Sequence, residues 1–170
     1  QRGTFMEEAC TSTEGAMAAM IGGDEEAVKT LAADSDVDVA NFNAIGQIVV
    51  SGSVDGVDKA VAGAKERGIR MAKKLKVAGA YHSRLMQSAQ DKLAPVLASA
   101  DISMPSVPVY SNYNATAVAD TAEIRETLEK QVTGSVRWTE SMQAAIAAGN
   151  TTFIELGPGK VLAGLMGRID

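Results

Sequence analysis

Apolar and polar positions over the first half of the chain follow a pattern that predicts two helices between four strands. Apolar runs are interpreted as strands at 16–21, 37–43, 47–53 and 69–77. Segment 24–33 and the segment after Asp55, the predicted helix cap, repeat apolar residues at helical spacing. Gly46 suits a hairpin turn, and Gly68 suits the end of the second helix. The order β-α-β-β-α-β indicates a ferredoxin-like small subdomain over residues 15–77.

Longer elements are predicted beyond residue 78. Helices are expected at 83–94, 121–132, 139–148 and 159–169, and strands at 107–111 and 152–156. Pro95 is expected to kink or end the first of these helices. Alternating strands and helices favour an α/β fold with a largely parallel sheet covered on both faces. Residues 1–14 are interpreted as one helix of this larger body.

Composition and charge exclude several classes of function. The 170 residues are 46% hydrophobic, carry a formal net charge of -5 and include one cysteine. Nucleic acid and anionic membrane surfaces both attract proteins with a dominant basic surface, so neither partner is expected. No apolar run approaches the roughly 18 residues that span a bilayer. One cysteine permits no internal disulfide, gives no support for a metal cluster and suggests a reducing compartment.

The only histidine, His82, stands where an apolar strand is predicted to give way to a helix. Histidine takes up and releases protons near neutral pH, and catalytic groups collect at the ends of strands in α/β folds. A solitary histidine is nevertheless more often a buried or surface residue with a structural role. Its assignment as a base therefore depends on the surrounding residues.

Seven motifs occur in order along the chain. They are Arg2-Gly-Thr-Phe-Met6, Gly15-Ala-Met-Ala-Ala19, the segment Asn41 to Gly52 beginning Asn-Phe-Asn, Val77-Ala-Gly-Ala-Tyr-His-Ser-Arg-Leu-Met86, Pro108-Val-Tyr-Ser-Asn112, Gln131-Val-Thr-Gly-Ser-Val-Arg-Trp138, and Glu155-Leu-Gly-Pro-Gly-Lys160 with the residues to Leu165. Together they resemble the malonyl-CoA:acyl carrier protein transacylases of fatty-acid synthesis, which share their fold with polyketide acyltransferase domains. The resemblance implies that residues 78–170 form the C-terminal part of a large α/β-hydrolase-like subdomain and that residues 1–14 belong to it.

The resemblance also implies a reaction. In this family a serine in a G-H-S-x-G turn attacks the malonyl thioester of coenzyme A, and the malonyl group then passes to the phosphopantetheine thiol of acyl carrier protein. His82 matches the base, and Gln131 matches the residue whose main-chain carbonyl holds the second imidazole nitrogen. No serine of this chain stands in a G-x-S-x-G setting. The chain is therefore expected to be a fragment that cannot complete the reaction alone.

Four residues match positions of the acyl site. Arg2 is expected to bind the malonyl carboxylate, because a guanidinium meets a carboxylate with two parallel hydrogen bonds. Tyr81 stands where an aromatic residue accompanies malonyl and a smaller residue accompanies methylmalonyl. Met6 and Asn43 match positions that line the acyl site.

Arg70, Lys73, Lys74 and Lys76 form the one dense basic run of this acidic chain. Such a run either protects a solvated strand edge or docks the acidic carrier protein, and both interpretations stay open. No metal and no cofactor are expected, with coenzyme A entering as the thioester substrate. The complete enzyme is expected to be a monomer in the cytoplasm or in an organelle of bacterial origin. The alternatives are a serine thioesterase or hydrolase on the same fold and a noncatalytic ferredoxin-like binding module.

Overall fold

The computed structural model describes residues 1–169, so that Asp170, the last residue of the predicted 78–170 segment, lies outside the described residues. Seven α-helices are formed in this part of the chain: α1 (Arg2–Ser12), α2 (Glu25–Asp34), α3 (Val54–Gly63), α4 (Gln87–Ser99), α5 (Thr121–Lys130), α6 (Trp138–Ala147) and α7 (Val161–Met166). The strands are β1 (Gly15–Ile21), β2 (Asp38–Ala44), β3 (Gln47–Ser53) and β4 (Met71–Lys74). Two 3-10 helices cover Lys65–Arg67 and Arg84–Met86.

The strands form one four-stranded antiparallel sheet in the order β2-β3-β1-β4. Side chains of alternate strand positions point to one face, where α2 and α3 cover them. The core between these layers is built largely from aliphatic side chains, including Met20, Val28, Leu31, Val50, Val57 and Ile69. The β-α-β-β-α-β order predicted for residues 15–77 is confirmed.

The ends of these elements follow the turn and cap signals with one exception. Gly46 and Gly68 have positive φ angles of 70° and 74°, a region that glycine enters without steric cost. Asp24 caps α2 by accepting from the amide of Glu26 at 2.9 Å. The prediction that Asp55 caps α3 is wrong: Ser53 accepts from the Gly56 amide, and Asp55 lies in the first turn.

Helix α4 does not end at Pro95, one of the two outcomes predicted there. The helix runs on through this residue to Ser99 instead of ending before it. Pro95 is exposed, while Ala89 and Leu93 hold the opposite side of the helix in the core. Packing of the buried face therefore outweighs the missing backbone hydrogen bond.

The strands predicted at 107–111 and 152–156 are not formed. The first segment contributes a single bridge between Tyr110 and Ala117, and the second has no strand partner among residues 1–169. No parallel sheet is formed in the described part of the chain, because a strand exists only through hydrogen bonds to a neighbouring strand. Apolar side chains in this half stay exposed: Leu156 is 90% accessible, and Leu128, predicted to point inward, is 46% accessible.

A second core joins segments that are distant in sequence. Ala9 and Cys10 of α1, Met86, Ala89 and Leu93 of α4 and its preceding turn, and Val132 after α5 pack together. Glycines permit the close approach, since a Cβ at Gly79 would overlap the Cys10 sulfur and one at Gly15 would lie 2.6 Å from the Ala80 nitrogen. This core brings the second half of α1, the segment around residue 82 and the loop after α5 to one place. Among residues 1–169, no helix is both long and apolar enough to cross a bilayer.

Candidate functional site

His82 lies in the turn that follows the glycine-containing junction 78–80. Its φ angle is 54°, in the left-handed region that residues with a β-carbon rarely occupy. The next residue, Ser83, is fully buried; its hydroxyl donates to the Ala80 carbonyl at 2.6 Å and accepts from the Leu85 amide at 3.2 Å. The turn thus closes upon itself and begins the 3-10 helix Arg84–Met86. Backbone strain at a residue whose surroundings fix it is typical of functional sites.

The imidazole Nδ1 atom lies between two main-chain oxygens. The Gln131 carbonyl is 2.9 Å away and the Gly134 carbonyl is 3.1 Å away. A carbonyl oxygen can only accept a hydrogen bond, so Nδ1 must carry the proton that it shares between them. The neutral ring then has its lone pair on Nε2. This arrangement gives the protein a base whose orientation is held without a carboxylate.

The loop that supplies both carbonyls is fixed by its own side chains. The Gln131 side-chain amide donates to the carbonyls of Gly134 and Ser135 at 2.9 and 3.1 Å. The Thr133 hydroxyl donates to Gln90 of α4 at 2.6 Å, and the Ser135 hydroxyl donates to the Val39 carbonyl at 2.5 Å. Helix α4 and strand β2 therefore both hold this loop in place.

The same loop extends the sheet beyond β2. The Val136 amide donates to the Ala40 carbonyl, and the Phe42 amide donates to the Val136 carbonyl, both at 2.8 Å. Asn41 and Val136 form an isolated parallel bridge at this edge. The edge of β2 is thus paired instead of open, and the histidine acceptors are anchored to the sheet.

Gly134 has no room for a side chain. A Cβ there would lie 2.7 Å from the Lys130 carbonyl oxygen and 2.7 Å from the Tyr113 ring. Its φ angle is not positive, so close packing and not backbone conformation demands glycine at this position. The packing brings the Gly134 carbonyl within hydrogen-bond distance of the imidazole.

Burial lowers the pKa of His82 below its ordinary value of 6.5. The two carbonyl acceptors favour the charged ring and partly oppose this effect, whereas the positive charge of Arg2 adds to it. His82 is therefore neutral near pH 7. The effect of the Arg2 charge on this pKa is smaller than that of burial.

Of the other residues predicted for the acyl site, two pack against the second core and the third lies in strand β2. Met6 and Tyr81 are half-buried and pack against the same core as Cys10 and Met86. The Cys10 thiol, with burial, raises the pKa of the Tyr81 hydroxyl. Asn43 lies where the register between β2 and β3 shifts, and no hydrogen bond among the described residues links it to His82.

The predicted docking residues lie away from β2, at the other end of the sheet order. Lys73 and Lys74 are exposed on the edge strand β4, and Arg70, also exposed, precedes it. Lys74 forms an ion pair with Asp58 of α3 at 2.6 Å. Lysines on a short edge strand also discourage pairing with another chain, so the geometry fits both interpretations of the basic run.

Two cavities differ in their relation to the histidine. A cavity of about 380 Å³ is lined by His82 together with Asp38, Arg84, Gln87, Thr133 and Ser135. A larger, more apolar one of about 710 Å³ lies between α6 and α7, and His82 does not line it. The smaller cavity is the candidate site because the titratable group faces it. Within residues 1–169, no cluster of three or more potential ligands could hold a metal ion.

A family model described as the acyl transferase domain matches residues 1–167. The chain belongs to the acyl transferase domain family. The malonyl CoA-acyl carrier protein transacylase of Bacillus subtilis is 46% identical over 175 residues, covering 100% of this chain and 55% of that protein. The chain thus spans about half the length of the curated relatives that it matches.

Solved structures of the acyl transferase family agree closely with the fold. An acyl carrier protein S-malonyltransferase from Vibrio cholerae matches with a TM-score of 0.95 and 40% identity, covering 99% of this chain and 56% of that one. A malonyl-transacylase in complex with a type II polyketide acyl-carrier protein matches with a TM-score of 0.91 and 37% identity over 99% of this chain and 56% of that one. The sequence identity and the structural similarity to these proteins therefore indicate the same family.

The sequence did not identify every group around the imidazole. Gly134 supplies the second acceptor, and Arg84 and Asp38 line the cavity beside the ring. A main-chain carbonyl has no signature of its own, although a glycine three residues after Gln131 was a signal of close packing. A pair such as Arg84 and Asp38, 46 residues apart, leaves no signal in a single sequence.

Proposed function

We propose that the enzyme containing this chain transfers a malonyl group from coenzyme A to the phosphopantetheine thiol of an acyl carrier protein in fatty-acid synthesis. The observation that carries the proposal is the imidazole held through Nδ1 by the carbonyls of Gln131 and Gly134, with Nε2 free to act as a base. The transacylase names of the relatives and the solved complex with a carrier protein support the same conclusion.

The reaction would proceed in two half-reactions. His82 Nε2 takes the proton of a serine hydroxyl while the serine oxygen attacks the malonyl thioester, and the coenzyme A sulfur leaves and takes up that proton. The product is a malonyl-serine ester. His82 then takes the proton of the carrier-protein thiol, whose sulfur attacks the ester and returns the serine hydroxyl. The serine belongs to a G-H-S-x-G segment that this sequence does not contain.

Arg2 would bind the free carboxylate of the malonyl group. A malonyl carboxylate entering a partly dry site needs a positive partner, and a planar guanidinium can meet both carboxylate oxygens. The effect of Arg2 on the pKa of His82 supports a location close to the base. A carboxylate bound there would compensate the charge that lowers the pKa of His82, so the imidazole would become a stronger base once substrate is bound.

Tyr81, Met6 and Asn43 would line the acyl site. Tyr81 stands next to the base, and its ring would leave little room for a methyl group on the malonyl α-carbon. Discrimination of one methyl group amounts to about 1–3 kcal/mol, so Tyr81 would favour malonyl without excluding methylmalonyl completely. The contact of Tyr81 and Met6 with the same core supports a shared wall.

The exposed basic run at Arg70, Lys73 and Lys74 would dock the acidic carrier protein. Charge complementarity raises association rates and depends on ionic strength. The pairing of Lys74 with Asp58 leaves Arg70 and Lys73 as the stronger candidates for an interprotein contact.

We also propose how the observed four-stranded sheet fits into a larger fold of two subdomains. Residues 15–77 would be a ferredoxin-like subdomain inserted into a larger α/β-hydrolase-like body that includes residues 1–14 and 78–170, and segments 107–111 and 152–156 would be strands of that body. We propose a monomer in the cytoplasm, or in an organelle of bacterial origin, that uses no metal or cofactor and takes coenzyme A as its thioester substrate.

Transfer is tested by incubating the full-length enzyme with malonyl-CoA, with and without holo acyl carrier protein, and measuring free coenzyme A and malonyl-carrier protein separately. The proposal predicts coenzyme A release that depends on carrier protein beyond the first turnover, with matching formation of malonyl-carrier protein. Continuous release of malonate without carrier protein would instead identify a thioesterase. No release at all would favour a noncatalytic module.

A further inference from the structure

The turn that bears His82 is tied to β2 through one residue pair. The Arg84 amide donates to Asp38 Oδ2 at 2.8 Å, and the Arg84 Nε atom lies 3.2 Å from both Asp38 oxygens. The guanidinium also contacts Asp36 Oδ1 at 2.7 Å and Asp38 Oδ1 at 3.1 Å. One carboxylate therefore holds both the main chain and the side chain of the residue two positions after the histidine.

The acceptor loop is tied to the next residues of the same strand. Ser135 donates through its hydroxyl to the Val39 carbonyl, and Val136 donates through its amide to the Ala40 carbonyl. Residues 38–40 of β2 thus contact both the segment that carries the imidazole and the segment that carries its two acceptors. The relative position of these segments is set by three consecutive residues of one strand.

We infer that Asp38 is a positioning residue, which acts through Arg84 to hold the left-handed turn at His82 so that Nδ1 faces the Gln131 and Gly134 carbonyls. The charge-assisted bond to the Arg84 amide fixes the backbone, and this effect differs from that of an ordinary exposed ion pair, whose contribution is small. Because His82 has φ 54°, the turn needs such an outside restraint to keep its conformation. Asp38, His82, Arg84 and Ser135 line one cavity, which places the restraint beside the ring.

The consequence for catalysis rests on the function proposed above, since positioning matters to turnover only if His82 is the base. The positioning itself is measurable without turnover. In the full-length enzyme labelled with nitrogen-15 histidine, the signals of the His82 imidazole are identified by their absence in His82→Asn. If the enzyme does not transfer malonyl groups, the NMR result on positioning still stands. If the NMR result fails, the test of malonyl transfer is unaffected.

The experiment compares the His82 imidazole of the wild-type full-length enzyme with that of Asp38→Ala, Asp38→Asn and Arg84→Ala by nitrogen-15 NMR across a pH titration. In Asp38→Ala, the imidazole should move away from the two carbonyls, so the Nε2-protonated tautomer should gain population. The pKa of His82 should rise toward 6.5, because the ring becomes more exposed to solvent. Asp38→Asn should give a smaller change, since it keeps one acceptor for the Arg84 amide. Arg84→Ala should also be milder, because its main-chain amide remains.

The matched control is Asp58→Asn, which breaks the ion pair to Lys74 beside β4, away from β2 in the sheet order. The control should leave the tautomer and the pKa of His82 unchanged. Folding of each variant is checked first by its dispersed amide spectrum. If Asp38→Ala does not fold, Asp38→Asn and Arg84→Ala carry the test. An unchanged tautomer and pKa in the folded Asp38 and Arg84 variants would overturn the inference, as would an equal change in Asp58→Asn.

Discussion

The Nδ1 atom of His82 lies 2.9 Å from the main-chain oxygen of Gln131, a residue 49 positions further along the chain. The contact joins the turn after β4 to the loop after α5, and Gly134 adds a second carbonyl to it. A neutral backbone acceptor fixes the tautomer without adding a negative charge that would raise the pKa of the imidazole. Burial can therefore keep the base neutral.

Substitution of Gly134 tests the acceptor loop. In Gly134→Ala the new methyl group would collide with the Lys130 carbonyl and the Tyr113 ring, so the loop must move. We expect a loss of about 1–3 kcal/mol in the free energy of unfolding, measured by urea denaturation. In Gly164→Ala the new Cβ in α7 meets no atom within 4 Å, and this control should be neutral or more stable by about 0.5–1 kcal/mol. Equal stability of Gly134→Ala and wild type would contradict the close packing around Gly134.

Removal of the Arg2 charge tests how close α1 lies to the base. Because this charge lowers the pKa of His82, Arg2→Ala should raise that pKa, as measured by NMR titration of the assigned His82 imidazole in the full-length enzyme. Arg67→Ala, which removes an equal charge that pairs with Asp34, should leave the titration unchanged. The account of Arg2 would fail if the two variants gave the same curve. In the full-length enzyme, Arg2→Ala should lose malonyl transfer and retain some turnover of uncharged acyl thioesters.

The pH dependence of stability follows from the lowered pKa of His82. The unfolded chain binds a proton at about pH 6.5, whereas the folded chain binds it only at lower pH. The stability contributed by neutral His82 is therefore complete above pH 6.5, declines as the pH falls from there through the folded pKa, and stays constant below it. His82→Asn should remove this part of the pH dependence, and asparagine tolerates the positive φ angle. The measurement is the urea midpoint from pH 7.5 down to 4.5; parallel curves for the two proteins would contradict the lowered pKa.

Charge reversal separates carrier-protein docking from a role at the strand edge. In the full-length enzyme, Arg70→Glu with Lys73→Glu should slow transfer to the acidic carrier protein, most strongly at low salt, without changing acylation by malonyl-CoA. Lys29→Glu, a reversal on α2 of a lysine that pairs with Glu25, is the control. Pre-steady-state measurement of each half-reaction distinguishes the outcomes. Equal effects on both half-reactions would favour a purely structural role for the basic run.

Local sequence signals were enough to predict the elements of residues 15–77. The apolar runs, the turn at Gly46 and the end at Gly68 are consistent with one another, and all four strands of the sheet lie within this segment. Segments 107–111 and 152–156 are apolar too, but they have no neighbouring strand to pair with in the described chain, and a strand forms only against such a partner. The helix end predicted as one outcome at Pro95 does not occur, because the packing of Leu93, which a local rule does not take into account, holds α4 beyond this residue.

The candidate site was predictable only in part. The link between His82 and Gln131 came from resemblance to a family, since no spacing rule joins residues 49 positions apart. The second acceptor at Gly134 and the restraint by Asp38 and Arg84 required coordinates, because main-chain carbonyls and long-range pairs leave no pattern in one sequence.

The central claim is that His82 is a neutral base with its proton on Nδ1 and its lone pair on Nε2. In the full-length enzyme at pH 7.5, the nitrogen-15 chemical shifts of the His82 imidazole, assigned by their loss in His82→Asn, measure the tautomer directly. The account predicts a protonated Nδ1 signal and an unprotonated Nε2 signal. A predominantly Nε2-protonated ring would contradict it, because neither carbonyl could then accept a hydrogen bond from Nδ1 and the atom facing the proposed serine would hold no lone pair.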